Sequence, residues 1–300
     1  MKRIAVFSPA SAVSYEQIQK ALQTIETWGY EVVIHPQTFA QNAQFAGTIK
    51  ERLSAFQELL DDDTIDIIWC SRGGYGVVQW IDSIDFSPLL KKFKWIVGFS
   101  DVTVLHCALQ KIGLKSLHAP MLKGWENLSF QTLEYLENIL QNTQIAYEVE
   151  NLPFDRLGRA RGKLIGGNIA LLHNQIGTKT DFDTENAILF LEDVNEPLYN
   201  LDRMFRHLQR AGKFENLQGL IVGNISRIKP EEPPFDKNIY EIIAEIVEPY
   251  QFPVCYDFPI GHESENYPIV CGAEAILEVS LNGVKLEQKW DSNSSKTKIL

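Results

Sequence analysis

This sequence is short of cysteine, of positive charge and of long apolar runs, and each shortage removes a class of protein. Four cysteines occur among 300 residues, Cys70, Cys107, Cys255 and Cys271, and none forms a C-x-x-C pair. That excludes a zinc knuckle and a dithiol redox motif, and the sparse usage predicts a reducing compartment. Lys and Arg total 28 against 39 Asp and Glu, a net charge of −11. With no basic excess to neutralise phosphates, no nucleic-acid partner is expected. No segment approaches the roughly 20 apolar residues of a membrane span. The opening "MKRIAVFSPASAV" has too short an apolar run for a secretory leader and reads as a first strand. A cytoplasmic protein without membrane attachment is expected. Motifs are missing too: there is no H-E-x-x-H, no G-x-G-x-x-G and no Walker lysine pattern. "GHESEN" offers His262, Glu263 and Glu265 without a second nearby histidine, so no metal site is expected.

What is present is ordinary globular material, 45% apolar and 22% charged, long enough for roughly two domains at ~150 residues each. In the first half, short β-type runs ("RIAVF", "YEVVIHP", "TIDIIWCS", "KWIVGF", "SLHAPM") alternate with helical patterns such as "FAGTIKERLSAFQELL" and "SFQTLEYLENIL". This alternation predicts an α/β fold, a mostly parallel sheet with helices on both faces. The pattern weakens after residue 142. A boundary is therefore expected there, giving an N-terminal unit 1–142, a linker 143–160, a second unit 161–289 and a frayed tail 290–300. In the second unit, "AILEVSLNGVKLEQ" alternates on both sides of Asn282-Gly283, a strong hairpin signal. A mixed α/β architecture with an antiparallel pair is expected for it.

Ligands of such sheets bind beyond the carboxyl ends of the strands, where "SRGGYG" and "GFSDV" both fall. Ser100 stands where a buried strand turns sharply into a helix. It either caps that helix or is a nucleophile held up on a strand-to-helix turn, since "GFSDV" shares the leading G-x-S of the hydrolase elbow and lacks its final glycine. The glycines after Arg72 either make a tight turn or turn their N–H groups into the crevice as an oxyanion hole. A serine needs a base. His106 leaves on the helix after Ser100 and is expected to face away. His173 and His207 lie in helical patterns, and His35 and His118 follow short strands without further marks. His262, in a polar loop after an apolar strand, suits a base best. The apolar run "AILFLEDV" ends at Glu192 and Asp193. Spacing alone favours a helix N-terminal acidic pair ahead of Pro197 over an orienting acid for the histidine.

Seven motifs then occur in one order: "SRGGYG", "VGFSDVTVLH", "LHAPM", "GKLIGGNIALL", "ILFLEDVNEPLYNLDRMFRHLQRAG", "GLIVGNI" and "FPIGH". Over residues 4–277 the chain resembles the serine LD-carboxypeptidases, the family of the murein tetrapeptide carboxypeptidases and the microcin C self-immunity protein. The resemblance implies a Ser100–His262–Glu192 triad, which overrides the spacing preference at Glu192. It also implies an oxyanion hole from the backbone of Asp101 and of Gly74, with Gly73 next to it. A second domain around a small barrel-like sheet, a homodimer and the absence of any metal or organic cofactor follow in the same way. The implied activity is cleavage of an L–D bond to release the terminal D-alanine of a murein peptide. Hydrolysis of an aminoacyl nucleotide is the same-chemistry alternative, for which Trp80 or Trp125 would stack on the base, and a non-catalytic binding protein is the third. Where many members carry an arginine after the Gly-rich loop, this chain reads "VVQWID". Arg72, Tyr75 and Arg203 are the candidates for holding substrate.

Overall fold

The computed structural model describes residues 1–291. The five apolar runs of the first half form β1 (Arg3–Phe7), β2 (Glu31–Ile34), β3 (Ile67–Cys70), β4 (Trp95–Gly98) and β5 (Ser116–His118), parallel throughout and ordered β5-β4-β3-β1-β2. Side chains alternate between two cores, as a strand buried on both faces requires. Ile4, Val6, Ile67, Trp69 and Val97 pack with α1 (Gln19–Thr27) and α5 (Phe130–Leu140). Ala5, Phe7, Ile68 and Ile96 pack with α2 (Ile49–Asp61), the short α3 (Ser87–Lys91) and α4 (Thr103–Lys111). Helix α2 starts where Thr48 and Glu51 form a capping box, which satisfies two otherwise free N–H groups.

The second sheet is assembled from β6 (Ala146–Val149), β7 (Gly158–Asn168), β8 (Ala187–Val194), β9 (Gly219–Ser226), β10 (Val254–Phe258), β12 (Glu274–Ser280) and β13 (Gly283–Lys289). Its order is β10-β9-β8-β7-β12-β13-β6, with β7 to β10 parallel and the rest antiparallel. Helices α6 (Ile169–Gln175), α7 (Leu198–Arg210) and α8 (Ile239–Val247) cover one face. The other face packs largely on itself through Leu164, Phe190, Ile221, Leu277 and Leu286.

Within residues 143–160, β6 pairs with β13 and the chain then crosses to the far edge, where Arg156 and Val254 exchange backbone hydrogen bonds of 2.8 and 3.1 Å. The two edges of the sheet are thereby joined through this segment. Strand β11 (Ile269–Cys271), although late in the chain, adds antiparallel to β5 of the first sheet. At the hairpin, Ser280 pairs with Gly283, so Leu281 and Asn282 form the tip. Gly283 is needed for another reason: a Cβ there would approach the Val149 carbonyl oxygen at 2.8 Å. Trp290 is buried and exchanges hydrogen bonds with the Gln144 side chain. The rest of the expected tail, 292–300, lies outside the described residues. Among the described residues no helix is long and apolar enough to cross a membrane.

Candidate active site

Ser100 occupies the turn between β4 and α4 with φ of +59°. This left-handed region is unfavourable for a residue with a Cβ and costs about 1–3 kcal/mol. The turn is tight because Gly98 lets strand and helix approach: a Cβ there would meet Val102 Cγ2 at 2.8 Å. Ser100 does not cap α4. The N-cap position is Val102, with no side-chain hydrogen bond. Gly73 is buried against the turn, and a Cβ on it would lie 3.4 Å from Ser100 Cβ and 3.6 Å from the Asp101 nitrogen. Its carbonyl accepts a hydrogen bond from Ser11 N–H at 3.2 Å. In a planar trans peptide the Gly74 N–H points the opposite way. Gly74 itself has φ of +109°, and a Cβ would collide with Ser11 Oγ at 2.1 Å.

His262 Nδ1 lies 2.7 Å from Glu192 Oε2. Glu192 is fully buried near the carboxyl end of β8, and its other oxygen has no hydrogen-bond partner among the described residues. Burial alone would lower the His262 pKa; the charge and hydrogen bond of Glu192, helped by Asp193, outweigh it and raise it above 6.5. The imidazole packs on Phe99, the residue before Ser100, with ring centroids 4.7 Å apart. Its loop is fixed by Asn266, which accepts from Gly261 N–H at 3.1 Å, and by Arg227, which donates to the His262 carbonyl at 3.2 Å. The other histidines are engaged elsewhere. His106 bridges Ser116 and the Gly98 carbonyl, His173 pairs with His207, and His35 lies against Glu58. His118 is fully buried among Phe99, Phe190 and His106, and burial holds its pKa well below the usual range.

The two sheets meet at this point. Asn168, level with Glu192 in the β7–β8 ladder, donates its N–H to Thr103 Oγ1 at 3.0 Å, on the first turn of α4. Gly167 makes that approach possible, since a Cβ on it would lie 2.5 Å from Thr103 Oγ1, and its neighbour Gly166 lets β7 lie close on β8, where a Cβ would come within 1.9 Å of the Phe190 carbonyl. Asp193 faces away from His262, as alternation along a strand requires. It accepts from Ala170 N–H at 3.0 Å at the start of α6. Burial and then the neighbouring Glu192 charge push its pKa up to about 7.

Asp101 accepts from Val77 N–H at 2.9 Å and is fully buried. That burial pushes its pKa up to about 6, against the pull of Val77, Arg52 and Gly76. Arg52 is a residue that sequence reasoning missed. It is 1% exposed and donates to the Gly76 carbonyl at 3.2 Å and to Gln79 at 2.7 Å, so it braces the Gly-rich loop from α2. The available signal was an arginine four residues before Phe56, on the apolar side of an amphipathic helix. Arg227 was missed as well, and Asp193, read as half of an acidic pair ahead of Pro197, meets α6 instead.

Of the substrate candidates, Arg72 adjoins the turn and donates to the Ala12 carbonyl at 2.7 Å. Tyr75 is 51% exposed beside Phe45. Arg203 sits on the exposed side of α7, over the Tyr199 ring and bonded to Asn200, and is not brought to the Glu192–His262 pair by these contacts. Trp80 and Trp125 are 1% and 2% exposed and serve the core. Among the described residues no three His, Cys, Asp or Glu side chains converge as a metal-holding group.

Residues 4–119 match the family model of the LD-carboxypeptidase N-terminal domain, and residues 161–277 match that of the LD-carboxypeptidase C-terminal domain. The chain is similar to a probable murein peptide carboxypeptidase of Bacillus subtilis, with 30% identity over 98% of this chain and 94% of the relative. Its fold is similar to that of the muramoyltetrapeptide carboxypeptidase from Oxalobacter formigenes, with a TM-score of 0.88, 26% identity and coverage of 96% and 99% of the two chains. The microcin C7 self-immunity protein shares the fold at a TM-score of 0.84 and 21% identity, over 96% of each chain.

Proposed function

Because the chain belongs to the LD-carboxypeptidase family, it is a peptide hydrolase, and we propose that Ser100, His262 and Glu192 release the terminal D-alanine of a murein tetrapeptide. The observation that carries this reading is the 2.7 Å Glu192–His262 hydrogen bond, with His262 packed on the residue that precedes a left-handed Ser100. The carboxylate on Nδ1 leaves Nε2 to accept the serine proton. Ser100 Oγ attacks the carbonyl of the penultimate residue, and His262 returns the proton to the departing amine. Water, activated by the same imidazole, then cleaves the acyl-enzyme. The N–H groups of Asp101 and Gly74, with Gly73 as the neighbouring alternative, hold the oxyanion; one such donor is worth ~10²–10³ in rate.

Murein peptide as substrate rests on the names carried by the similar proteins. The aminoacyl-nucleotide alternative needs an aromatic platform for the base, and neither Trp80 nor Trp125 is exposed to supply one. A cytoplasmic site of action agrees with four cysteines that are all free and buried. The homodimer is part of the proposal, and light scattering on the purified chain tests it. The division into units 1–142 and 161–289 stands beside it, tested by limited proteolysis within 143–160. For the catalytic assignment, a fluorophosphonate probe should label wild-type protein at Ser100. Labelling of Ser100→Ala at the same rate would remove this serine from the mechanism.

A further inference from the structure

A carboxypeptidase has to recognise a terminal carboxylate two bonds from the nitrogen it releases, so a cation must stand within a few ångströms of the nucleophile. Four cations are candidates, and their surroundings separate them. Arg227 is offset by Glu263 at 3.8 Å and bonded to the His262 carbonyl. Arg203 is engaged with Asn200 and Tyr199 on α7. Arg72 directly precedes Gly73, the residue packed on Ser100, and its guanidinium is steered by the Ala12 carbonyl. Lys123 follows the same turn from the other side. Its N–H donates to the Ser71 carbonyl at 2.9 Å, and Met121, two residues earlier, packs on Gly73.

We propose that Arg72 and Lys123 together form the subsite for the terminal carboxylate of the leaving D-amino acid, a refinement that rests on the hydrolase reading above. Among the described residues neither cation has a carboxylate partner. The Lys123–Ser71 backbone hydrogen bond holds the segments that carry these two like charges side by side, in a chain with a net charge of −11 where acidic partners are plentiful. Their repulsion is relieved when an anion enters. The pKa of Lys123 is lowered by partial burial and then by the Arg72 charge, the direction that mutual repulsion requires. A planar guanidinium matches a carboxylate through two hydrogen bonds, and an ammonium adds a point charge.

The test compares two substrates, the tetrapeptide with a free terminal carboxylate and the same peptide ending in an amide, on wild type, Arg72→Met, Lys123→Met and Arg72→Lys. Wild type should prefer the acid, and each methionine variant should lower the acid-to-amide ratio of kcat/KM roughly ten- to a hundredfold. Arg72→Lys should recover part of the loss. The same preference should appear when each peptide protects Ser100 from the fluorophosphonate. If wild type is labelled and both methionine variants keep the full preference, the subsite is wrong and the hydrolase reading stands. If wild type is not labelled at Ser100, both fall together.

Discussion

Replacing Glu192 by Gln removes one charge and keeps the shape of the side chain. In the wild type this charge acts on His262 through a 2.7 Å contact at a fully buried carboxylate. Two unit charges whose centres are about 4 Å apart interact by about 4 kcal/mol at an effective dielectric of about 20, or up to about 3 pH units. Burial already pulls the imidazole pKa down, and Glu192 is the main reason it stands above 6.5. In Glu192→Gln the acid limb of kcat/KM should therefore move to lower pH by about 1–3 units. The maximal rate should fall by about 10²–10⁴, because the remaining amide no longer stabilises the imidazolium that forms during attack. Stability gives a second reading. A histidine with a raised folded-state pKa stabilises the fold fully below its unfolded value of about 6.5, and that contribution is lost as pH rises through the folded value. The difference in Tm between wild type and Glu192→Gln should thus be larger at pH 5.5 than at pH 9. A rate loss under tenfold with an unmoved acid limb would refute the assignment of Glu192.

Three further outcomes are expected. Ser100→Gly should abolish hydrolysis and raise stability by about 1 kcal/mol, since glycine accepts φ of +59° without strain; a lower Tm on thermal denaturation would argue that Ser100 is not strained. Gly167→Ala places a methyl group 2.5 Å from Thr103 Oγ1 at φ of +145° and should cost about 2–5 kcal/mol, with a loss of kcat because the segments bearing Ser100 and Glu192 are pried apart. Asp193, raised to about 7 from 3.8, makes wild type progressively less stable as pH climbs toward 8. Asp193→Asn should therefore gain on the order of 1–3 kcal/mol over wild type at pH 8 and much less at pH 4.5, and an equal difference at both pH values would contradict this.

The first sheet was legible because its strands are largely apolar and β1, β2 and β5 are followed by amphipathic or capped helices. Ser100 was legible as a turn serine, and His262 as a loop histidine after a strand. Glu192 was not separable from Asp193 by spacing, and the structure explains why. The two carboxylates part company: Asp193 turns to Ala170 at the start of α6, not to the Pro197 helix α7 that spacing favoured, while Glu192 turns to His262. Only the family resemblance chose between them. Strand β6 was hidden because its alternation, Tyr147 buried between more exposed neighbours, is just four residues long. The pairing of β11 with β5 joins segments about 150 residues apart through three residues, Ile269 to Cys271, and no local pattern encodes it. Arg52 was missed because a buried arginine is justified only by the loop carbonyls it meets in the folded protein.

The most direct test of the central claim is mass spectrometry of murein tetrapeptide incubated with wild type and with Ser100→Ala. Loss of one alanine with wild type and none with the variant is the expected result. Release of alanine by both proteins at equal rates would contradict the role given to Ser100. An intact peptide with wild type would contradict the substrate.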